Sequence, residues 1–154
     1  MIDRETIGSW LQGPPRPTGE SDHPGAGLGL PQSGPGALAP TGRRVLALLV
    51  DGVIAQVIAM GLLGYVQGQG GLGTFKPLLV VFVMNVLMVG TGGFTVGHRL
   101  LGLRVERCPR GYAGFVRGLV RSALLCLALP PLIVDRDGRG LHDRAAGTVI
   151  VRAR

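Results

Sequence analysis

The chain has 154 residues, of which 46% are apolar and only 16% are charged, and its mean hydropathy is +0.37. So high an apolar fraction excludes a fully disordered protein. With 27 glycines and 11 prolines, the chain also exceeds what an ordinary soluble core tolerates. The net charge of +7 comes from basic residues that flank apolar runs and do not alternate with stacking aromatic residues, which argues against a nucleic-acid partner. We therefore expect a membrane protein of single-domain size that contacts membrane lipids.

Residues 1–42 differ in composition from the rest of the chain. Seven prolines and many glycines follow one another between residues 13 and 42. Such a stretch buries too little apolar surface to offset the entropy lost on ordering. We therefore predict a flexible Pro/Gly-rich cytoplasmic extension over residues 1–42, followed by a transmembrane domain over residues 43–154. The extension has no apolar segment typical of a signal peptide, so the first hydrophobic segment is expected to stay in the mature protein.

Two apolar runs are long enough to cross a bilayer. The first, residues 45–66, contains Asp51 as its one charged residue, and the second, residues 77–97, contains no charged residue. At ~1.5 Å rise per residue, a helix of about 20 residues covers the ~30 Å hydrocarbon core of a membrane. Both runs therefore predict spanning helices.

A third segment, residues 115–134, is less suited to crossing a bilayer. Arg117 and Arg121 interrupt its beginning, and Pro130-Pro131 disfavours a continuous helix near its end. Its uncharged part is short enough to be more typical of a re-entrant or interfacial helix than of a spanning one. We therefore expect an all-α integral membrane protein with two spanning helices and a third, Pro-broken helix that is re-entrant or interfacial. A third full crossing is the alternative.

The arginines predict how the chain is oriented. The 98–114 loop carries four arginines and the basic C-terminal tail after residue 134 carries five, whereas the 67–76 connection has Lys76 as its single cation. Because Lys and Arg are enriched in cytoplasmic loops, the N-terminus, the loop and the tail are expected in the cytoplasm. Two full crossings satisfy this distribution, and three would place the five arginines of the tail outside. The predicted location is a multi-pass protein of the cell (inner) membrane.

Asp51 is the residue at which chemistry is most expected. It lies about 10 Å into the first apolar run, two helical turns after Arg44 and on the same helix face. A carboxylate at membrane depth costs about 2.5–3.5 kcal/mol on insertion scales, so it needs a polar partner. Arg44 and Arg121 are the candidates for that partner. Held in this way, Asp51 either exchanges a proton or binds a cation, or it forms a structural ion pair; the sequence leaves both interpretations open.

Other polar residues give weaker indications. Gln56 and Asn85 lie at membrane depth, where they are expected to hydrogen-bond across helix interfaces or to line a polar path with Asp51. Cys108 and Cys126 form no C-x-x-C motif and have no histidine cluster nearby, so we expect neither a metal site nor a disulfide framework. No nucleophile–base set or phosphate-binding loop is recognisable, so we expect no enzyme and no cofactor.

Four blocks of sequence, in this order, resemble the RDD family of prokaryotic membrane proteins, which is named for one arginine and two aspartates. The blocks are Arg44-x-x-Ala47-x-x-Val50-Asp51, the run from Thr95 to Val105, Arg121, and the run from Leu141 to Thr148. His98 departs from the family pattern, which usually has Lys or Arg at that position. The resemblance implies that Arg44, Asp51, Arg121 and Asp143 are the motif residues, with Asp143 as the second aspartate.

Two further stretches, Gly8 to Pro14 and Asp135 to Gly140, resemble an actinobacterial subgroup of the same family with a Pro/Gly-rich N-terminal extension. The resemblance implies an integral inner-membrane protein whose molecular role is generally unassigned. Transport has been suggested for the family, including sodium–proton exchange in some members.

Two functions are therefore considered. The first hypothesis is proton- or cation-coupled transport with Asp51 as the exchanging carboxylate. Because two or three helices cannot enclose a pathway, this hypothesis requires a homo-oligomer or a larger membrane partner. The alternative is a non-transporting membrane scaffold or regulator whose basic loop and tail recruit a cytoplasmic partner or anionic lipid. Asp51 is then a structural residue.

Overall fold

A computed structural model of the chain describes residues 23–68, 70–108, 111–127 and 138–154. In these residues the fold is mostly helical, with two long helices, three shorter ones and a small antiparallel sheet. The elements are α1 (Thr41–Leu63), α2 (Lys76–Gly92), α3 (Val96–Leu100), β1 (Leu103–Arg107), α4 (Gly114–Cys126), α5 (Leu141–Ala146) and β2 (Thr148–Arg152).

The two long helices have the length and composition needed to cross a bilayer. α1 has 23 residues, and α2 with the 3-10 turn Gly71–Phe75 before it has 22. In the 18-residue apolar stretch of each helix, only 22% of the first and 11% of the second is buried. Most of their apolar side chains therefore face outward. A soluble core helix would instead be mostly buried. Both helices end at a glycine with positive φ, 58° at Gly64 and 72° at Gly93, which forms a left-handed C-cap.

Helix α4, which corresponds to the first part of the predicted segment 115–134, packs across α2 at a pair of glycines. A Cβ added at Gly90 would lie 2.5 Å from Cδ1 of Phe115, and one added at Gly118 would lie 3.4 Å from the backbone nitrogen of Gly90. Small residues at a helix crossing let the backbones approach closely. The rest of the predicted 115–134 segment, including Pro130-Pro131, lies outside the described residues, so its re-entrant or interfacial placement stays a prediction.

The sheet is not part of the predicted all-α fold. β1 and β2 pair in antiparallel register, from Leu103 opposite Arg152 to Arg107 opposite Thr148. Alternate residues of β1 are buried, as expected for a strand with one face against the core. The prediction of an entirely helical protein was wrong at these two strands. Part of the predicted basic tail forms α5 and β2, and Val149, Ile150 and Val151 of β2 are buried in the hydrophobic core.

Residues 36–39 lie along the second edge of β2. The N–H of Gly36 donates to the carbonyl oxygen of Arg152 at 2.8 Å, and the N–H of Arg152 donates to the carbonyl oxygen of Ala37 at 2.8 Å. The N–H of Ala39 donates to the carbonyl oxygen of Ile150 at 3.0 Å. Ala37 and Ala39 are buried. This part of the predicted extension therefore differs from the expectation of flexibility, because backbone pairing and burial offset the entropy of ordering. Residues 1–22 lie outside the described residues.

Candidate functional site

Polar residues from five helices meet where α1 begins and α2 ends, which we call the polar end of the molecule. This polar cluster consists of Arg44, Asp51, Asn85, His98, Arg121, His142 and Asp143. They surround a small cavity, in which the volume open to the centre of a water molecule is about 20 Å³. This is room for roughly one water. Both aspartates are 1% exposed and Arg121 is 3% exposed, so the charges of the cluster lie inside the fold.

Asp51 joins α1 to the segment that follows α2. Its Oδ1 accepts a hydrogen bond from the N–H of Gly97 at 2.7 Å, and its Oδ2 accepts one from the hydroxyl of Thr95 at 2.5 Å. Gly97 sits directly against α1, because a Cβ at this position would collide with the carbonyl oxygen of Ala47 and lie 2.9 Å from its carbonyl carbon. The close approach to α1 therefore requires glycine at position 97, and the hydrogen bond from its N–H requires a short acceptor side chain at position 51.

Thr95 connects Asp51 to His98. Its hydroxyl oxygen caps α3 by accepting the backbone N–H of His98 at 3.2 Å, and it also contacts Nδ1 of the His98 ring. A hydroxyl has one proton to donate. When Thr95 donates it to Asp51, His98 must donate from Nδ1, and Nε2 of that ring then carries a lone pair. Nε2 is buried without a hydrogen-bond partner in the part of the chain that is described.

Arg121 and Asp143 form a buried ion pair between α4 and α5. Nε of Arg121 lies 3.2 Å from Oδ1 of Asp143, and the same oxygen accepts the hydroxyl of Thr148 at 2.9 Å. Burial by itself raises the pKa of Asp143. The Arg121 guanidinium, with smaller effects from His142 and Thr148, outweighs burial, and the pKa is lowered from its usual value. Asp143 is therefore ionised at neutral pH.

The two histidines of the cluster are neutral at neutral pH. Burial, followed by the nearby charge of Arg121, lowers the pKa of His98 from 6.5 to about 3. Burial also lowers the pKa of His142, although Asp143 opposes this effect. Nε2 of His142 lies 3.4 Å from Oδ2 of Asp143. Both rings therefore act as uncharged hydrogen-bonding groups beside the buried ion pair.

Arg44 connects the first turn of α1 to the segment before α5. Its Nη1 donates to the carbonyl oxygen of Gly138 at 2.6 Å. The cluster therefore joins four parts of the chain that are far apart in sequence: the start of α1, the segment 95–98, α4, and the segment 138–143. Its geometry holds these parts against one another.

Comparison with protein-family models matches residues 38–147 to the RDD family, which is more than half of the chain. The chain belongs to the RDD family. Curated proteins and solved structures give no match. Membership of the RDD family, together with two long apolar helices, fits an integral membrane protein.

The four RDD motif residues, Arg44, Asp51, Arg121 and Asp143, all lie in the polar cluster. The partner expected for Asp51 was wrong, however. Among the described residues, neither arginine forms an ion pair with Asp51, because Arg121 pairs with Asp143 and the oxygens of Asp51 are bonded to Thr95 and Gly97. Whether the four motif residues have a functional role stays a prediction.

Of the two uncharged residues predicted to form a polar path, Asn85 is among the described residues that line the cavity and Gln56 is not. Asn85 lines the cavity and donates from Nδ2 to the carbonyl of Val81 at 3.1 Å. Gln56 is half-buried and is not among the described residues that line the cavity. The path through both residues stays a prediction. In the described ranges there is also no group of three His, Cys, Asp or Glu side chains suited to a metal ion.

Thr95, Gly97 and Thr148 belong to the site although no property of the isolated residues predicts it. A threonine or glycine next to an apolar run is unremarkable in a chain with so many glycines. The signal was their position: Thr95 and Gly97 lie in the second RDD-like block and Thr148 ends the fourth. Within those blocks, they supply the donors that the two motif aspartates need.

Proposed function

We propose that this RDD protein is a non-enzymatic, non-transporting membrane scaffold or regulator. In this proposal α1 and α2 cross the cell membrane, the polar end faces the cytoplasm, and the basic surface of that end recruits a partner. The observation that carries the proposal is the bonding of Asp51. Both of its oxygens accept hydrogen bonds from the segment 95–97, and its exposed fraction is 1%.

An exchanging carboxylate has to be reached by its ion from each side of the membrane in turn. Asp51 instead holds two chain segments together, and the cavity beside it has room for roughly one water. Oδ1 of the second aspartate, Asp143, is held by Arg121 and Thr148. These contacts support a structural role for the cluster, which fixes the shape of the polar end.

The surface of the polar end supports the recruiting role. Among the described residues, six arginines are exposed on it: Arg43, Arg99, Arg104, Arg107, Arg144 and Arg154. Since arginine is enriched on the cytoplasmic side of membrane proteins, this distribution supports a cytoplasmic polar end. A rigid basic surface held at the membrane suits an acidic partner or an anionic lipid.

Proton flux in sealed proteoliposomes tests this proposal. Wild type and Asp51→Asn are reconstituted with an internal pH dye, external sodium or potassium is stepped, and incorporation is measured for each. We expect no cation-dependent proton flux from well-incorporated wild type. We also expect Asp51→Asn to accumulate less in the cell membrane, because an amide cannot accept both hydrogen bonds as well as a carboxylate does. Cation-dependent flux that is lost in a normally abundant Asp51→Asn would overturn the proposal.

The second candidate is proton-coupled transport by an oligomer, and one observation favours it. Asp51, Thr95 and His98 form a continuous hydrogen-bonded chain that ends beside the cavity. Such a chain can pass a proton from a carboxyl group through a hydroxyl to an imidazole. Because two or three helices cannot enclose a pathway alone, this candidate needs a homo-oligomer or a larger membrane partner. A strictly monomeric protein in native lipid would exclude it.

A further inference from the structure

We propose that a groove at the polar end binds the phosphate of an anionic phospholipid. The groove consists of two adjoining depressions of about 400 and 280 Å³ that share Gly102 and Arg154. Their basic residues are Arg43, Arg99, Arg104 and Arg154, and we call this feature the arginine groove. The inference rests on the proposed function, because it names the ligand of the basic surface described above.

The fold holds three of these arginines at defined places. Arg154 lies over Gly102, since a Cβ added to that glycine would lie 3.3 Å from Nε of Arg154. Cζ of Arg99 lies 4.8 Å from the centre of the Phe94 ring, a cation–π contact that orients the guanidinium. The side chain of Arg104 runs beside Gly93, where an added Cβ would lie 3.6 Å from its Nε. Arg43 completes the groove from the first turn of α1.

Within the described part of the chain, no acidic side chain neutralises the charge of the arginine groove. None of its four arginines forms an ion pair there, and no acidic side chain of the described residues lines either depression. Positive charges gathered in a concave surface raise the local concentration of anions. Guanidinium groups bind phosphate oxygens through two parallel hydrogen bonds, which makes a phosphate the chemistry that fits this site.

The apolar surface beside the groove identifies the source of the phosphate as a lipid. Leu46, Val53 and Val57 continue from Arg43 along one face of α1, and their exposed fractions are 48, 65 and 63%. Leu100, in the wall of the groove, is 65% exposed. A phospholipid whose phosphate occupies the groove would therefore lay an acyl chain along α1. A free phosphate ion would use the arginines but leave this apolar column uncovered.

Lipid binding by the purified chain in neutral detergent tests the inference. Native mass spectrometry counts bound lipid after titration with phosphatidylglycerol, with phosphatidylcholine, or with inorganic phosphate alone. The test variant is Arg99→Gln/Arg154→Gln. The matched control is Arg107→Gln/Arg144→Gln, which removes the same charge from exposed positions outside the groove. Melting temperatures in neutral detergent identify any variant that fails to fold.

We expect wild type to prefer phosphatidylglycerol over phosphatidylcholine. At roughly fivefold per arginine near an anionic lipid, the groove variant should lose roughly 25-fold in affinity for phosphatidylglycerol. The control should keep most of its affinity. Equal losses in both double variants would overturn the groove as the site. Binding of inorganic phosphate as tight as that of phosphatidylglycerol would overturn the lipid as its ligand. Neither result depends on the flux measurement, so failure of this inference and failure of the proposed function are distinguishable.

Discussion

Asp51 illustrates how a carboxylate can be held near the start of an apolar helix without a cation in contact. Its two hydrogen-bond donors are the backbone N–H of Gly97 and the hydroxyl of Thr95. A backbone donor has a fixed position, so this bond fixes the path of the segment 95–97, whereas a long arginine side chain could follow the carboxylate through several geometries. The bonding therefore makes Asp51 a determinant of where the chain turns after α2.

Thr95→Val tests this role at the level of one hydroxyl group. Valine keeps the branched shape but leaves Oδ2 of Asp51 without its donor, and it also removes the cap of α3. A buried acceptor that loses its partner costs about 1–3 kcal/mol of unfolding free energy. Thr95→Ser keeps the hydroxyl and serves as the control. We expect the melting temperature in detergent to fall clearly for Thr95→Val and little for Thr95→Ser; equal values for the two variants would contradict this role.

The long helices could be predicted from the sequence, whereas the short elements could not. Apolar runs of about 20 residues give a strong signal, and α1 and α2 cover most of the predicted runs 45–66 and 77–97. The second helix ends at Gly92, before the predicted residue 97, because Gly93 takes a left-handed conformation and the chain turns back to Asp51. β1 and β2 have five residues each and lie far apart in the chain, so neither carries enough local pattern to predict the pairing.

Part of the polar cluster could be named from the sequence, but its contacts could not. The RDD resemblance named Arg44, Asp51, Arg121 and Asp143, and all four lie in one cluster. Which arginine meets which aspartate depends on how α4 and α5 pack, and neither packing is encoded in the spacing of single residues. The sequence therefore indicated the four motif residues of the cluster but not the hydrogen-bond donors of Asp51, Thr95 and Gly97.

Gly97→Ala tests how closely α3 is packed on α1. The added methyl group would collide with the carbonyl of Ala47, and the backbone shift that relieves the collision would lengthen the bond to Asp51. We expect a loss of about 1–3 kcal/mol in unfolding free energy and lower abundance in the membrane. Gly52→Ala is the control, because a Cβ there meets nothing within 4 Å. In a helix interior that change should stabilise by about 0.5–1 kcal/mol. Gly97→Ala with wild-type melting would contradict the close packing.

At the scale of the whole molecule, the polar cluster links stability to pH. The folded protein keeps His98 and His142 uncharged and Asp143 ionised, while the unfolded chain titrates near the ordinary pKa values of these groups. Between pH 6.5 and about 3, the unfolded state therefore binds a proton at His98 that the folded state does not bind. Stability must then fall as the pH falls through this window. The contribution of Asp143 is lost only below pH 3.8, because its pKa is lowered from that value by folding.

Between pH 6.5 and pH 4 both histidines contribute to this loss of stability while Asp143 does not, and His98→Gln tests the contribution of one of them. For a single histidine whose folded pKa is about 3, the unfolding free energy should fall by about 1.4 kcal/mol per pH unit below pH 6.5. His142 adds to the loss in the same direction. Melting temperatures of wild type in detergent should consequently drop steadily from pH 7 to pH 4. Glutamine does not titrate, so His98→Gln should be less stable than wild type at pH 7 but show a flatter pH dependence. Parallel pH profiles for the two proteins would show that His98 is not the group that makes the fold sensitive to acid.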